Sequence, residues 1–348
     1  MNNAEQFADI IIKESYDMRA SDIHVVPRSH DAIIQIRVDK DLVTKHVISK
    51  DFCERLVSHF KFLAAMDIGE KRKPQNGSLE LKMDYGTMNL RLSTLPTLNS
   101  ESLVIRVHLQ TIVQPLSQLC LFPSSAKTLL SFLYHSHGLI IFTGPTGSGK
   151  TTTMYSLLET AKKQLNRRIV TLEDPIEKRN DGLLQIQINE RAGITYATGL
   201  KAILRHDPDI ILVGEIRDEE TAKVAIRASL TGHLVLTTLH TNDAKGAVLR
   251  LLDFDITLQE IEQALLAVAA QRLVEIKCPF CNGKCSPLCK KMRKVRRLGV
   301  YELLYGQALR EVIKEAKGEM AIYRYMTLKE AMNKGYALGF IEEEDVLI

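Results

Sequence analysis

The sequence predicts an α/β protein in which a smaller α+β domain precedes a mostly parallel sheet covered by helices on both faces. Its 348 residues are enough for about two domains. Short strand-like runs with turn signals occupy the first third of the chain, whereas continuous apolar runs separated by helical stretches occupy the rest. Continuous apolar strands are typical of a parallel sheet that is buried on both faces.

The front domain is predicted over residues 1–110. An amphipathic helix is expected over residues 4–18, because Phe7, Ile10 and Ile11 recur near helical spacing among charged residues. Turn signals stand at residues 39–41 and 74–77. Strands are predicted at Ile23–Val26, Ile33–Val38 and Leu103–Val107.

The second domain is predicted over residues 125–348, after a linker at residues 111–124 that contains two prolines and no charged residue. A helix is expected at residues 152–161. Four apolar runs predict the strands of the parallel sheet: Leu139–Phe142, Ile169–Leu172, Ile210–Val213 and Leu234–Thr237.

Composition excludes several classes of protein. The chain carries 46 basic and 42 acidic residues, and a net charge of +4 is too small to indicate binding to nucleic acid or to an anionic membrane. No apolar run approaches the roughly 18 residues that span a bilayer. The first ten residues lack the basic and long apolar regions of an export signal. We therefore expect a soluble, cytoplasmic protein.

Residues 144–151, GPTGSGKT, match the phosphate-binding motif G-x-x-x-x-G-K-[ST] and are called the P-loop below. Such a loop turns backbone N–H groups toward phosphate, and the helix that follows adds partial positive charge. Lys150 is expected to reach the β- and γ-phosphates of ATP, and the Thr151 hydroxyl to ligate Mg²⁺. The predicted nucleotide-binding residues are Gly144, Pro145, Thr146, Gly147, Ser148, Gly149, Lys150, Thr151 and Thr152.

Two acidic residues follow predicted strands, Glu173 in TLEDPIE and Glu215 in ILVGEIRD. Nucleotide hydrolysis needs carboxylates that hold the metal or orient water, and ligands bind at the carboxyl ends of parallel strands. Gly214 occupies the position at which an Asp is commonest before such a glutamate. The alternative is that both acids belong to the first turns of helices.

Two histidines, His233 and His240, flank the predicted strand LVLTT. A role in catalysis or in sensing the γ-phosphate is open for both residues, and so is an ordinary structural role.

Four segments in fixed order strongly resemble the Walker A, Asp box, Walker B and His box of the ATPases of type II secretion and type IV pilus assembly. They are GPTGSGKTTT, TLEDPIE, LRHDPDIILVGEIRDEETA and TGHLVLTTLHTNDA. The front segments ASDIHVVP, IQIRVDKDL, KRKPQNGS and RLSTLPTLNSESLVIRVH look like the second N-terminal domain of that family. The resemblance therefore covers nearly the whole chain.

This resemblance implies a RecA-like P-loop ATPase core behind a PAS-like front domain. It also implies a homohexameric ring at the cytoplasmic face of the membrane, acting on an inner-membrane platform protein, with no direct contact to nucleic acid. Arg91 and Arg106 become arginines that close onto the phosphates of the nucleotide, and a surface salt bridge is the alternative for both. The residues to which the family assigns catalysis are Glu173, Glu215, His233, His240, Arg91 and Arg106.

Four cysteines occupy twelve residues, in the order Cys278-x2-Cys281-x3-Cys285-x3-Cys289. Thiolates at such spacing suit a tetrahedral, structural Zn²⁺ site. Structural thiols without a metal, a redox pair and an iron–sulfur cluster are the alternatives. The assembly ATPases of the family carry a tetracysteine zinc site at this place, with more chain between the two pairs, whereas the retraction ATPases lack it.

The cysteine segment therefore favours assembly of a pilus-like filament, and the chain is most similar to ATPases of competence pseudopili. The expected function is to couple ATP hydrolysis to polymerisation of pilin-like subunits for DNA uptake or secretion. The alternatives are a pilus retraction ATPase, a RecA-like nucleic-acid motor and a nucleotide-gated scaffold that barely hydrolyses ATP.

Overall fold

A computed structural model of the protein describes residues 3–38, 41–83, 86–109, 113–281, 289, 295–343 and 346. The chain divides into two compact units. The first unit comprises residues 1–112 and 286–292, and the second comprises residues 113–285 and 293–348. Within the described ranges, no helix combines the length and the apolar character that crossing a bilayer requires.

The first unit contains an antiparallel sheet with two helices packed on its apolar face. The strands are β1 (Asp22–Pro27), β2 (Asp31–Val38), β3 (Asp41–Ser49), β4 (Gln75–Met83), β5 (Gly86–Pro96) and β6 (Glu101–Leu109). Their order in the sheet is β3-β2-β1-β6-β5-β4, and every neighbouring pair is antiparallel. The helices are α1 (Ala4–Asp17) and α2 (Lys50–Leu63). Their apolar side chains pack against those of alternate strand residues, which share one face of the sheet. The predicted helix and the three predicted strands of the front domain are confirmed.

The predicted turn at residues 74–77 is wrong, because β4 already begins at Gln75. Gly77 pairs with Leu92 of β5 in the register of the sheet. A Cβ atom at Gly77 would lie 2.7 Å from the Met66 side chain, so this glycine permits close packing and does not make a turn. The other turn is predicted at residues 39–41, and residues 39 and 40 lie outside the described residues.

A buried ion pair joins helix α2 to the sheet of the first unit. Lys61 Nζ lies 2.9 Å from Glu101 Oε1 and also donates a hydrogen bond to the Glu70 carbonyl at 2.8 Å. The two charged side chains are only 1% and 6% exposed. Since each charge compensates the other away from water, loss of either partner leaves an uncompensated buried charge.

The second unit is built on a seven-stranded, mostly parallel sheet. The strands are β7 (Gly138–Thr143), β8 (Ile169–Glu173), β9 (Leu184–Gln187), β10 (Ile210–Val213), β11 (Leu234–Leu239), β12 (Leu265–Glu275) and β13 (Arg297–Tyr305). Their order is β13-β12-β7-β11-β10-β8-β9, and only the pair of β12 and β13 is antiparallel. The four strands that the sequence predicts are confirmed, while β9, β12 and β13 were not predicted.

Helices cover both faces of this sheet, as the sequence predicts. Leu139 and Ile141 of β7 belong to one apolar core, whereas Ile140 and Phe142, on the opposite face of the strand, belong to another. The helices are α3 (Pro123–Ser131), α4 (Lys150–Leu165), α5 (Tyr196–Ile203), α6 (Glu219–Leu230), α7 (Ala244–Asp253), α8 (Leu258–Ala264), α9 (Gly306–Ala316) and α10 (Leu328–Ala337).

Much of the segment predicted as a linker, residues 111–124, lies in the core of the second unit. Leu116, Cys120, Leu121 and Phe122 are all buried there, and helix α3 begins at Pro123. We interpreted the absence of charge in this segment as a sign of a linker. It is instead explained by burial, because moving an uncharged apolar stretch out of water is favourable.

The buried ion pair predicts that two lysine substitutions lower the free energy of unfolding by very different amounts. Lys61→Met should lower the free energy of unfolding by about 3–5 kcal/mol, because it strands the Glu101 carboxylate in the core. Lys71→Met, which removes an exposed ion pair to Glu54, should cost less than about 1 kcal/mol. Urea unfolding of the full chain measures both, and equal costs would contradict the prediction.

Candidate functional site

A cavity of about 480 Å³ opens at the edge of the second unit's sheet where β7, β8, β10 and β11 end. These strands are parallel, so the residues that follow them meet at the same edge. The cavity is lined by Thr146–Thr152 of the P-loop and its helix, and by groups at the carboxyl ends of the other three strands. Among the latter are Glu173, Glu215, Thr238 and His240.

The glycines of the P-loop are required by its backbone. Gly144, Gly147 and Gly149 have φ angles of +139°, +79° and +87°, which side-chain-bearing residues rarely adopt. Gly144 also has no room for a side chain, since a Cβ atom would lie 2.5 Å from the Gln271 carbonyl oxygen of β12. Gly147, by contrast, has no atom within 4 Å of such a Cβ.

Lys150 is buried and turned onto its own loop. Its Nζ donates hydrogen bonds to the carbonyl oxygens of Gly144 at 2.8 Å and Pro145 at 3.1 Å. Burial lowers the pKa of Lys150, and the nearby Glu215 carboxylate opposes this shift. Gly144 and Pro145 thus support the lysine, while the rest of the predicted nucleotide-binding segment faces the cavity.

The residues of the P-loop fit a nucleotide polyphosphate. Within the described part of the chain, the buried Ser148 Oγ has no hydrogen-bond partner, and the space beside Gly147 is open. The Lys150 ammonium donates its two hydrogen bonds described above to carbonyl groups, which carry partial charge and which an anion could replace at the same loop. A helix N-terminus, at Lys150, completes a set of donors suited to phosphate oxygens.

Glu173 is the last residue of β8 and is only 3% exposed. Its carboxylate accepts hydrogen bonds from the Tyr155 hydroxyl of α4 and from Thr171 Oγ1. Gln185 Nε2 of β9 lies farther away, at 3.4 Å. The buried glutamate is therefore held by its neighbours at the edge of the cavity.

Glu215 lies two residues beyond β10 and is more accessible than Glu173. Arg217 forms an ion pair with its Oε1, and this contact raises the pKa of the guanidinium. On the other carboxylate oxygen, His240 Nε2 lies 3.5 Å away. Arg217 also lies 3.7 Å from Asp174, so one guanidinium links the segments that follow β8 and β10.

Gly214 has a steric explanation. A Cβ atom at this position would lie 2.9 Å from the Tyr196 hydroxyl and 3.2 Å from the Leu172 carbonyl oxygen. Thr238 Oγ1 of β11 donates a 2.7 Å hydrogen bond to the Gly214 carbonyl. An Asp at this position would therefore require Tyr196 and the Leu172 carbonyl to shift.

The structure places the two histidines at opposite ends of β11. His240 follows the strand and lines the cavity, whereas His233 precedes it and contacts the Ala228 carbonyl at the end of α6 through Nδ1, at 3.0 Å. Seven residues of extended chain span roughly 20 Å. The structure therefore does not bring His233 to the cavity, and its catalytic role stays a prediction from the resemblance.

Arg91 and Arg106 lie opposite each other on the neighbouring strands β5 and β6 of the first unit. The Arg106 guanidinium is largely exposed and donates a 3.0 Å hydrogen bond to the buried Asp22. Burial raises the pKa of Asp22, but hydrogen bonds from Ser21 and Arg106 outweigh this effect and lower it. The salt bridge named as an alternative for Arg106 is thus present, with Asp22 as its partner.

Three of the four clustered cysteines lie close together. Cys278, Cys281 and Cys289 place their sulfur atoms within 4.8 Å of one another, and Cys278 is buried. Cys285 lies outside the described residues. Three thiolates at this separation fit a metal ion such as Zn²⁺, which takes four ligands in structural sites.

Sequence reasoning missed several groups that shape the cavity. Thr171 could have been found, because it stands two residues before Glu173 and alternate residues of a strand share a face. Tyr155 follows Thr151 by four residues and could have been found by helical spacing. Gln271 gave no signal, because its place beside the P-loop depends on β12, which is more than a hundred residues away and was not predicted.

The fold and the cavity define an α/β protein with a P-loop at the carboxyl edge of a mostly parallel sheet. The structure of the Legionella pneumophila ATPase DotB has the same fold, with a TM-score of 0.77 and 21% identity over 98% of this chain and 94% of that one. The pilus retraction motor PilT with bound ADP gives a TM-score of 0.69 and 26% identity, over 97% and 95% of the two chains. The family model described as "Type II/IV secretion system protein" matches residues 2–347, so the chain belongs to this family.

Among individual relatives, the chain is similar to the "Competence protein ComGA" of Bacillus subtilis (strain 168). The two sequences are 60% identical over 342 residues, which is 98% of this chain and 96% of the relative. The relative is therefore matched over almost its whole length.

Two alanine substitutions in the P-loop should lower the free energy of unfolding by different amounts. Gly144→Ala should lower the free energy of unfolding by about 3 kcal/mol, since the new methyl group meets a backbone carbonyl as well as an unfavourable φ. Gly147→Ala should cost only about 1–2 kcal/mol, because backbone strain is its only penalty. Urea unfolding checks the pair, and a larger loss for Gly147→Ala would be inconsistent with the loop described above.

Proposed function

We propose that the chain is a Mg²⁺-dependent ATPase whose active site is the cavity beside the P-loop. Lys150 and the backbone N–H groups of the loop bind the phosphates, and the Thr151 hydroxyl would hold Mg²⁺. The metal, when bound, neutralises charge that develops on the phosphates. Glu215 orients or deprotonates the attacking water, with Glu173 as the second acid of the site.

One observation carries this proposal: the P-loop, Glu173, Glu215 and His240 all line the same cavity. These groups come from four strands that are far apart in sequence, and a chance arrangement would scatter them. His240 Nε2 lies 3.5 Å from Glu215, which supports a proposed contact of His240 with the same water or with the γ-phosphate. Arg217 keeps the Glu215 carboxylate in an ion pair at the cavity edge.

The proposed cellular role is assembly of a type IV pilus-like competence pseudopilus, for DNA uptake or secretion. Support comes from 60% identity to a competence protein over nearly both whole chains, against 26% to a pilus retraction motor. The cysteine segment also favours assembly over retraction. We propose that the chain acts as a homohexameric ring at the cytoplasmic face of the cell membrane, through an inner-membrane platform protein.

The first unit is proposed to take part in the reaction through Arg91 and Arg106. Guanidinium groups suit this task because they stay charged and bind phosphate oxygens through two N–H groups. In the structure Arg106 is bound to Asp22, so contact with a nucleotide would exchange one anionic partner for another. The role of both arginines remains a prediction.

Substitutions in the cavity predict loss of turnover. Lys150→Ala and Glu215→Gln should each lower kcat for ATP hydrolysis by about 100-fold or more, because each removes a group that acts in the transition state. Lys163→Ala is the matched control, since this largely exposed lysine lies on the same helix and pairs with Glu159. Phosphate release with Mg²⁺ and ATP measures all three, and wild-type turnover by either cavity variant would refute the assigned role.

We further propose that the cysteine segment binds one structural Zn²⁺ through Cys278, Cys281, Cys289 and Cys285. The close approach of three sulfur atoms supports this site. Four thiolates would leave no open coordination position, so the metal would stabilise the segment and take no part in catalysis.

Elemental analysis of the purified, reduced protein should find about one zinc per chain, and Cys281→Ser should lose most of it, because structural zinc sites need four ligands. Cys53→Ser, which alters a buried cysteine in the core of the first unit, should keep the metal. Zinc well below one per chain in the wild type would contradict the proposed site.

A further inference from the structure

The carboxylate of Glu173 is held by two buried hydroxyl groups. The Tyr155 hydroxyl lies 2.8 Å and 2.9 Å from its two oxygens, and Thr171 Oγ1 donates to Oε1 at 2.7 Å. Tyr155 is 3% exposed and Thr171 is inaccessible to solvent. Hydrogen bonds donated to a carboxylate in such a dry environment are strong and fix its orientation.

The positions of these hydroxyls follow from the elements that carry them. Thr171 precedes Glu173 by two residues on β8, so both side chains lie on the same face of the sheet. Tyr155 lies on α4, one helical turn after Thr151 of the P-loop. The helix that starts at the P-loop therefore contacts the carboxylate at the end of β8, the next strand along the chain.

The Tyr155 hydroxyl acts as a donor to Glu173. Gln185 Nε2 donates a 3.0 Å hydrogen bond to the phenol oxygen, which leaves the phenol proton for an acceptor. Burial and the adjacent Glu173 raise the pKa of Tyr155. The phenol thus keeps its proton and can donate it in a hydrogen bond to the carboxylate.

We propose that Tyr155 and Thr171 are positioning residues that aim the Glu173 carboxylate into the cavity. Through Tyr155, the helix of the P-loop sets the place of the second acid. This inference rests on the proposed ATP hydrolysis, in which Glu173 takes part. The competing explanation is that both hydroxyls only stabilise the core.

A double-mutant cycle separates the two explanations. The variants are Tyr155→Phe, Thr171→Val, Tyr301→Phe and Glu173→Gln, together with each of the first three combined with Glu173→Gln. Steady-state phosphate release with Mg²⁺ over a range of ATP concentrations gives kcat and KM for each variant, and thermal melting confirms that each is folded. Tyr301→Phe is the matched control, because its buried phenol contacts the same helix at Thr153, at 2.8 Å, and does not contact Glu173.

Tyr155→Phe and Thr171→Val should each lower kcat by about 10- to 100-fold, with KM for ATP changed by less than about twofold, because a misplaced carboxylate slows the reaction without weakening binding. In the Glu173→Gln background neither should cause a further loss, since the group that they position is already absent. Any effect of Tyr301→Phe should be the same in both backgrounds.

Wild-type kcat in Tyr155→Phe and Thr171→Val would overturn the inference, and so would losses that multiply with that of Glu173→Gln. If Tyr155→Phe fails to fold, the nearly isosteric Thr171→Val decides by the same criteria. Wild-type turnover by Glu173→Gln is a different result, because it would remove Glu173 from the proposed catalytic mechanism and the inference with it.

Discussion

Four parallel strands that end at one edge of a sheet determine the position of nearly every group in the cavity. The P-loop follows β7, Glu173 ends β8, Glu215 follows β10 and His240 follows β11. Their hydrogen-bonded register brings these ends to the same level at one edge of the sheet, although the residues are scattered over nearly a hundred positions. The site is thus a consequence of topology, and its chemistry comes from the residue type at the end of each strand.

The P-loop keeps a buried cation at the centre of this edge. An ammonium group away from water needs compensation, and the carbonyl groups of Gly144 and Pro145 supply it for Lys150. These acceptors carry only partial charge, so a phosphate oxygen with full charge would bind the same nitrogen more strongly. The loop is therefore stable as it stands and still favours an anionic ligand.

The sequence predicted the features that depend on local patterns. Apolar runs located β7, β8, β10 and β11, and the P-loop motif located the loop at one end of the cavity, because each pattern lies in consecutive residues. Features that depend on distant pairing escaped prediction. The place of Gln271 behind Gly144 requires β12 to lie beside β7, and the separation of His233 from His240 requires the full length of β11. Gly77, which resembles a turn residue, is instead explained by its contact with Met66.

A crystal structure of the full chain with Mg²⁺ and a non-hydrolysable ATP analogue tests the central claim most directly. The account predicts that the analogue's phosphates lie in the P-loop and that Lys150 Nζ leaves the carbonyls of Gly144 and Pro145 to contact them. The carboxylates of Glu173 and Glu215 should face the γ-phosphate. An analogue bound elsewhere, with Lys150 still hydrogen-bonded to its own loop, would contradict the account.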